Sequence, residues 1–393
     1  MKRRQHYVFQ AYLREWLDQD GKLWCLRDAK IFHTDTNNVA HERDFYRVGQ
    51  LNDDEIKFLK LFLSKEPTYI QQKLMSHLRI YQSCYVWQNE LEIIKDMKTA
   101  GTISKETKKK ISDLINYLVE SSKVADDECD EEGISEKKFW DNEINNFNCL
   151  LCLAKLVRES NNNDVKDSFE KILKQLTEKT EEAVNDLEED FLGFIETETL
   201  KWMKDFRDQN IKNIEDKDKR ELFLDIAIHH FRTKAAKDDF EKNLTLMLSD
   251  EASQKRFEKY LISPENIRVE NLKHLIFWYC QAALSNSLYT KKALITLLIN
   301  DTDEPFLTSD RPIINLKADY KNLSQGVEDL IFYYPLSPRI ALTINPNISC
   351  ETIKTVELTQ QDAEEYNNKI VQAAHELIFA NKKDMLIKNN RKS

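Results

Sequence analysis

Helix breakers are scarce in this chain: 6 glycines and 7 prolines are spread over 393 residues. Inside a helix Gly costs about 1 kcal/mol and Pro about 3 kcal/mol relative to Ala, and both mark the turns that many short strands require. Their scarcity therefore favours long helices. With 41% hydrophobic residues there is material for a sizeable core, and the length alone allows two or three folding units.

Periodicity fills in the elements. KLWCLRD reads as a short strand with Leu23 and Cys25 on one face, and Asn52 is placed to cap a helix carrying Glu55, Phe58, Leu59, Phe62 and Leu63. Helices are expected from Pro67 to about Lys98 and from Ser104 to about Val124, where the basic run KETKKKI marks a solvated start. The acidic DDECDEEG then reads as a linker, because its carboxylates miss the alternating positions of a calcium loop. Phe169, Ile172, Leu176, Val184, Leu187, Phe191 and Ile195 predict one amphipathic helix, and further helices are expected over 220–230, 237–248 and 271–284. Only after Asn300 does strand character appear, in PFLTSDRPIINL and LIFYYPLSPRIALTIN. Thr359, with Asp362 as capping partner, opens a last helix whose inner face carries Tyr366, Ile370, Ala374 and Leu377. The expected fold is α+β and predominantly helical, with a small sheet built from the N- and C-terminal segments and a large helical insertion. The corresponding domains are 1–65 with 300–393, and 66–299.

Composition narrows function by exclusion. A net charge of -10 argues against extended duplex binding, which needs a basic face, while leaving room for local nucleic-acid contact. HLIFWYCQAAL is too short to span a bilayer, and no apolar run of signal-peptide length follows MKRR, so a cytoplasmic protein without membrane contact is expected. Seven cysteines among apolar neighbours suit free thiols, and the CxxC of Cys149 and Cys152 reads as helix-core packing. Neither HExxH nor a glycine-rich phosphate loop occurs, and His229 and His230, being adjacent, point to different helix faces.

Two segments place polar groups where apolar ones dominate. In HYVFQAYLREW, His6, Gln10 and Arg14 recur every four residues, one face of a helix that begins at the start of the segment. In FLTSDRPIINL, Ser309 and Asp310 interrupt an apolar run. A buried carboxylate or guanidinium without partners is costly, so the two segments suggest one shared polar centre.

HYVFQAYLREW followed by GKLWCLRD, then FRTK from Phe231, FLTSDRPI and YYPLSPRIAL, resembles the bacterial family catalogued as domain of unknown function 4238. Its pattern is His-Tyr-x-Pro-Gln with a downstream Tyr-Leu-Arg, an aromatic-bearing strand after a glycine, a helical Arg-Thr, Ser-Asp-x-Pro and Pro-Leu-Ser-Pro. His6, Gln10, Arg14, Arg232, Ser309, Asp310, Pro312 and the Pro335 to Pro338 motif match it. Phe9 stands where the family has proline, which would begin the helix there and leave the histidine outside it. The resemblance implies a cytoplasmic bacterial protein with no established activity, some relatives of which sit among defence or toxin functions.

Chemistry gives these residues two readings. In the first, His6 is general acid or base, Asp310 orients it or holds a divalent cation, and Ser309 is an alternative nucleophile. Gln10, Arg14 and Arg232 then bind substrate, the arginines clamping a phosphate or carboxylate. This describes a hydrolase-like effector, such as a metal-dependent nuclease in phage defence. In the second reading the same residues form a structural network, Ser309 and Asp310 make a turn, and the protein is a noncatalytic ligand-sensing or protein-interaction module. Its aromatic helices, with Trp202, Trp278 and Tyr279, would then meet a partner protein. Pro335 to Pro338 is read as a structural turn.

Overall fold

The computed structural model describes residues 4–47, 49–99, 104–124, 136–209, 216–320 and 329–390. The acidic DDECDEEG segment lies outside them. In chain order the elements are β1 (Arg4–His6), α1 (Gln10–Leu13), β2 (Leu23–Arg27), β3 (Lys30–Thr34), β4 (His41–Arg43), α2 (Asp53–Phe62), α3 (Thr68–Thr99), α4 (Lys105–Val124), α5 (Glu136–Glu159) and α6 (Asn163–Arg207). Then come α7 (Asp216–Phe231), α8 (Lys234–Ser249), α9 (Glu251–Lys259), α10 (Val269–Thr290), β5 (Ala293–Ile299), β6 (Thr308–Ser309), β7 (Ile314–Asn315) and β8 (Phe332–Pro335). The chain closes with β9 (Ile340–Ser349), β10 (Lys354–Glu357), α11 (Gln360–Ala373), β11 (Ile378–Ala380) and α12 (Lys383–Asn390). Helix predominates, as the shortage of Gly and Pro requires. Among the described residues no helix is long and apolar enough to cross a membrane.

Two compact units emerge, one of Arg47–Leu187 with Lys259–Ile267, the other of Lys2–Tyr46, Glu188–Glu258 and Arg268–Ser393. The expected bounds at 65 and 300 put α7, α8, α10 and β5 with the helical domain; here they belong with the terminal segments. Strand β5 is the physical reason. ALITLLI is apolar at every position but Thr296 and buried at every position but that one, the signature of a strand covered on both faces, and it follows a helix with no Gly or Pro between.

In the helical unit, Asn52 and Glu55 form a reciprocal capping box on α2, so the backbone amides of Asn52 and Glu55 are satisfied. Helices α3, α4, α5 and the first part of α6 enclose Ile94, Leu118, Trp140, Phe147 and Leu173. Phe169 and Val184 face inward as expected, whereas Ile172 and Leu176 are exposed because Leu173 takes the core position. Cys149 and Cys152 are also exposed, which corrects the core-packing reading of the CxxC.

In the other unit both chain ends meet in one sheet of order β3-β2-β11-β6. Cys25 of β2 pairs with Phe379 of β11, and Ile378 of β11 pairs with Ser309 of β6. The β2–β3 hairpin turns on Asp28 and Ala29, both at positive φ, the conformation a two-residue hairpin loop requires. A second sheet runs β10-β5-β9-β8-β7, and β1 with β4 forms a two-stranded ribbon. The helix opened by Thr359 is not the last, since α12 follows it, and Leu377 does not lie on it as expected: α11 stops at Ala373, and Leu377 is buried just before β11.

The first segment docks through its apolar side. Tyr12 donates to the Pro335 carbonyl at 2.8 Å and shares a 2.6 Å hydrogen bond with the Thr308 hydroxyl, while the Trp16 indole donates to the Phe306 carbonyl at 3.1 Å. Both side chains are fully buried, and each such burial stabilises by roughly 2–3 kcal/mol. The PLSP turn is structural as expected: the Ser337 hydroxyl accepts from the amides of Arg339 and Ile340 between β8 and β9.

Candidate functional site

His6 ends a strand rather than lying on a helix. Helix α1 begins at Gln10 with Phe9 as an extended N-cap, although Phe9 is not proline. The i, i+4 relation to Gln10 survives this change, and the Gln10 amide nitrogen lies 2.6 Å from His6 Nε2. Arg14, at the end of α1, is exposed, so the structure does not bring it into a buried polar centre.

Arg232 fixes the backbone of His6. At 6% exposure it donates to the His6 carbonyl at 2.9 Å, to Glu196 at 2.8 Å and to the Tyr46 hydroxyl at 3.2 Å. Tyr46 also donates to the His6 carbonyl, at 2.9 Å, and its own amide is held by the fully buried Gln5 side chain. The guanidinium thus spends its fork on the ribbon and on Glu196, and Tyr46 and Glu196 hold its charge in place against burial.

Asp310 is 1% exposed and works as a clasp. Its Oδ1 accepts from the His375 amide at 2.9 Å, and its Oδ2 accepts from the amides of Glu376 and Leu377 at 2.7 and 3.0 Å. Burial raises its pKa, and the three N–H donors oppose that rise. Ser309 is fully buried, and its hydroxyl closes a turn by accepting from the Arg311 amide and donating to the Arg311 carbonyl. Both oxygens of Asp310 and the hydroxyl of Ser309 are therefore engaged within the β6–β11 junction. Trp202 likewise turns inward, its indole donating to Asp225 at 2.7 Å.

The histidine that sequence reading missed is His41. Ribbon register sets it opposite His6, with the ring centroids 5.3 Å apart and edge-to-face. Burial, His41, Arg232 and Arg4 lower the His6 pKa to about 4, against a raising contribution from the Val39 backbone. Burial, Arg4 and Arg27 lower that of His41 as well. Both rings are only partly buried. Nearby, Tyr7 is buried and its hydroxyl is pushed above its usual range, chiefly by burial and then by Asp310 and Glu376, while Lys234 pairs with Glu376 at 2.6 Å and His375 with Asp238 at 2.9 Å. His41 sits in the polar segment HTDTNNVAHERDFY, and nothing there but a second histidine hints that it will face His6.

The two helix-end histidines behave as their adjacency predicts. His229 stacks on Phe9 at 4.7 Å and meets the Tyr334 hydroxyl, and His230 turns to the Ile313 carbonyl at 3.3 Å. Among the described residues no group of three or more His, Cys, Asp and Glu side chains is arranged to hold a metal.

No curated protein and no solved structure matches the chain. The family model described as "Protein of unknown function (DUF4238)" matches residues 4–384, nearly the whole sequence, and the chain belongs to that family.

Proposed function

We propose that this protein is a hydrolase-like effector that cleaves RNA by general acid–base chemistry at His6 and His41. The observation that carries the reading is the pair itself: two partly accessible imidazoles face each other at 5.3 Å, and both are held below their usual pKa. RNA suits such a pair because its 2′-hydroxyl supplies the nucleophile. His6 is the base. Its Nε2 takes the 2′-hydroxyl proton from a substrate group seated where the Gln10 amide now lies, and the 2′-oxygen attacks phosphorus. The P–O5′ bond breaks as protonated His41 gives its proton to O5′, leaving a 2′,3′-cyclic phosphate and a 5′-hydroxyl. Arg4 and Arg27, which act on these rings, meet the phosphate charge.

This reading reassigns the motif residues. Arg232, Asp310 and Ser309 are positioning residues that fix the ribbon and the β6–β11 junction, and Arg14 lies outside the site. A role in phage defence agrees with RNA as substrate. A metal-dependent route through Asp310 is set aside because its oxygens already accept three backbone N–H groups. The noncatalytic reading draws on the same internal satisfaction of Arg232, Asp310 and Ser309. One experiment separates the two: incubation with single-stranded RNA and with a copy carrying a single deoxynucleotide at the scissile position. The proposal expects cyclic-phosphate ends from the first and no cleavage at that position in the second; no cleavage of either would favour a binding module.

A further inference from the structure

The Ser-Asp-x-Pro turn does more than join strands. Its variable position is Arg311, whose backbone is held on both sides by the Ser309 hydroxyl. The Arg311 side chain is 11% exposed, donates to Asp239 at 2.8 Å and lies over the Tyr320 ring at 4.9 Å. Its Nε is buried without a hydrogen-bond partner. Beside it is a cavity of about 240 Å³ walled by Phe231, Phe240, Ile276 and Phe277, with His230 and Cys280 also on its lining.

We propose that this cavity binds the base of a free nucleoside. Such binding is independent of the His6–His41 chemistry. Flat aromatic walls favour a flat ligand, and Phe277 packs against Phe231 and Phe240 with ring centroids 5.5 and 5.3 Å apart. The volume lies just under the roughly 300 Å³ at which ligand pockets commonly begin, which suits a base rather than a whole nucleotide. Charge excludes a simple anion: Asp239 already balances Arg311, so a buried carboxylate or phosphate would add uncompensated negative charge. A neutral heterocycle carrying both an acceptor and an N–H donor avoids that cost. Its acceptor would satisfy Arg311 Nε, the donor now left without a partner. Its N–H has an acceptor in His230, because the tautomer that donates from Nδ1 to the Ile313 carbonyl leaves Nε2 with a free lone pair.

The test uses the full chain and adenosine, guanosine, cytidine and uridine as probes, with binding followed by calorimetry. Alkylation of Cys280, read by mass spectrometry, gives a second measurement, with the exposed Cys149 and Cys152 as internal references. The expected result is saturable binding of at least one nucleoside below 1 mM, weakened at least tenfold in Arg311→Met, with Cys280 alone protected. If Arg311→Met fails to fold, Cys280 protection in the wild type carries the test. Absence of binding by all four nucleosides, or binding that leaves Cys280 unprotected, overturns the proposal.

Discussion

Arg232 donates a hydrogen bond to the carbonyl oxygen of His6 at 2.9 Å, across 226 positions of sequence. The same guanidinium reaches Tyr46 and Glu196, so one side chain ties α7 to the ribbon that presents both histidines. Arg232→Ala leaves a buried carbonyl and hydroxyl short of a donor and is expected to lower stability by roughly 3 kcal/mol. Arg232→Lys recovers part of that loss, since an ammonium cannot reproduce the fork. Urea unfolding of the two variants checks this.

Asp310→Asn replaces one acceptor oxygen of the clasp with a donor that faces a backbone N–H. The expected loss is about 3 kcal/mol, read as a lower unfolding midpoint, because hydrogen bonds to a buried charge are the expensive ones to break. Arg14→Ala, by contrast, removes an exposed side chain and should stay within about 0.5 kcal/mol of wild type.

These two substitutions show what sequence could and could not tell. The pattern of His6, Gln10 and Arg14 suggested one helical face, but Phe9 is the N-cap and His6 belongs to a strand, so only the His6–Gln10 contact survives. Caps were legible because they are local: Asn52 caps its helix and Thr359 pairs with Asp362 as expected, and the structure adds a reciprocal bond from Glu55 at the first. The sheet shared by the chain ends was legible too, since motif-bearing strands at both termini need partners. Strand β5 was not, because an apolar run broken only by Thr296 reads alike as a buried strand or a helix. His41 was invisible for a different reason. Its place opposite His6 depends on the register of β1 with β4, a long-range pairing that no local pattern specifies.

The rate of RNA cleavage should depend on pH in one direction for each histidine. His6 must be neutral as a base, which holds above about pH 4. His41 must be protonated as an acid, and burial with Arg4 and Arg27 keeps its pKa below 6.5. The maximum is therefore expected between about pH 4 and 6.5, with activity falling on the alkaline side. A pH–rate profile measured over pH 3.5 to 8 checks it.

Within the helical unit, Glu90 is 3% exposed, one of its oxygens lacks a partner, and Glu143, which accepts from the Trp87 indole, lies close enough to oppose its ionisation. Burial first and Glu143 second raise its pKa to about 8. The folded state therefore binds a proton that the unfolded state releases near pH 4.5, and stability falls as pH rises from there through about 8. Glu90→Gln should flatten this slope and raise stability at pH 8. Thermal unfolding at pH 5 and pH 8 measures the difference.

The proposed pairing of His6 as base with His41 as acid is tested by the cleavage rate of single-stranded RNA in excess chelator by wild type, His6→Gln and His41→Gln, with unfolding midpoints taken on the same samples. Metal-independent cleavage by wild type and at least a hundredfold loss in each folded variant are expected. Cleavage that vanishes with chelator, or that persists when either histidine is replaced, would contradict that pairing.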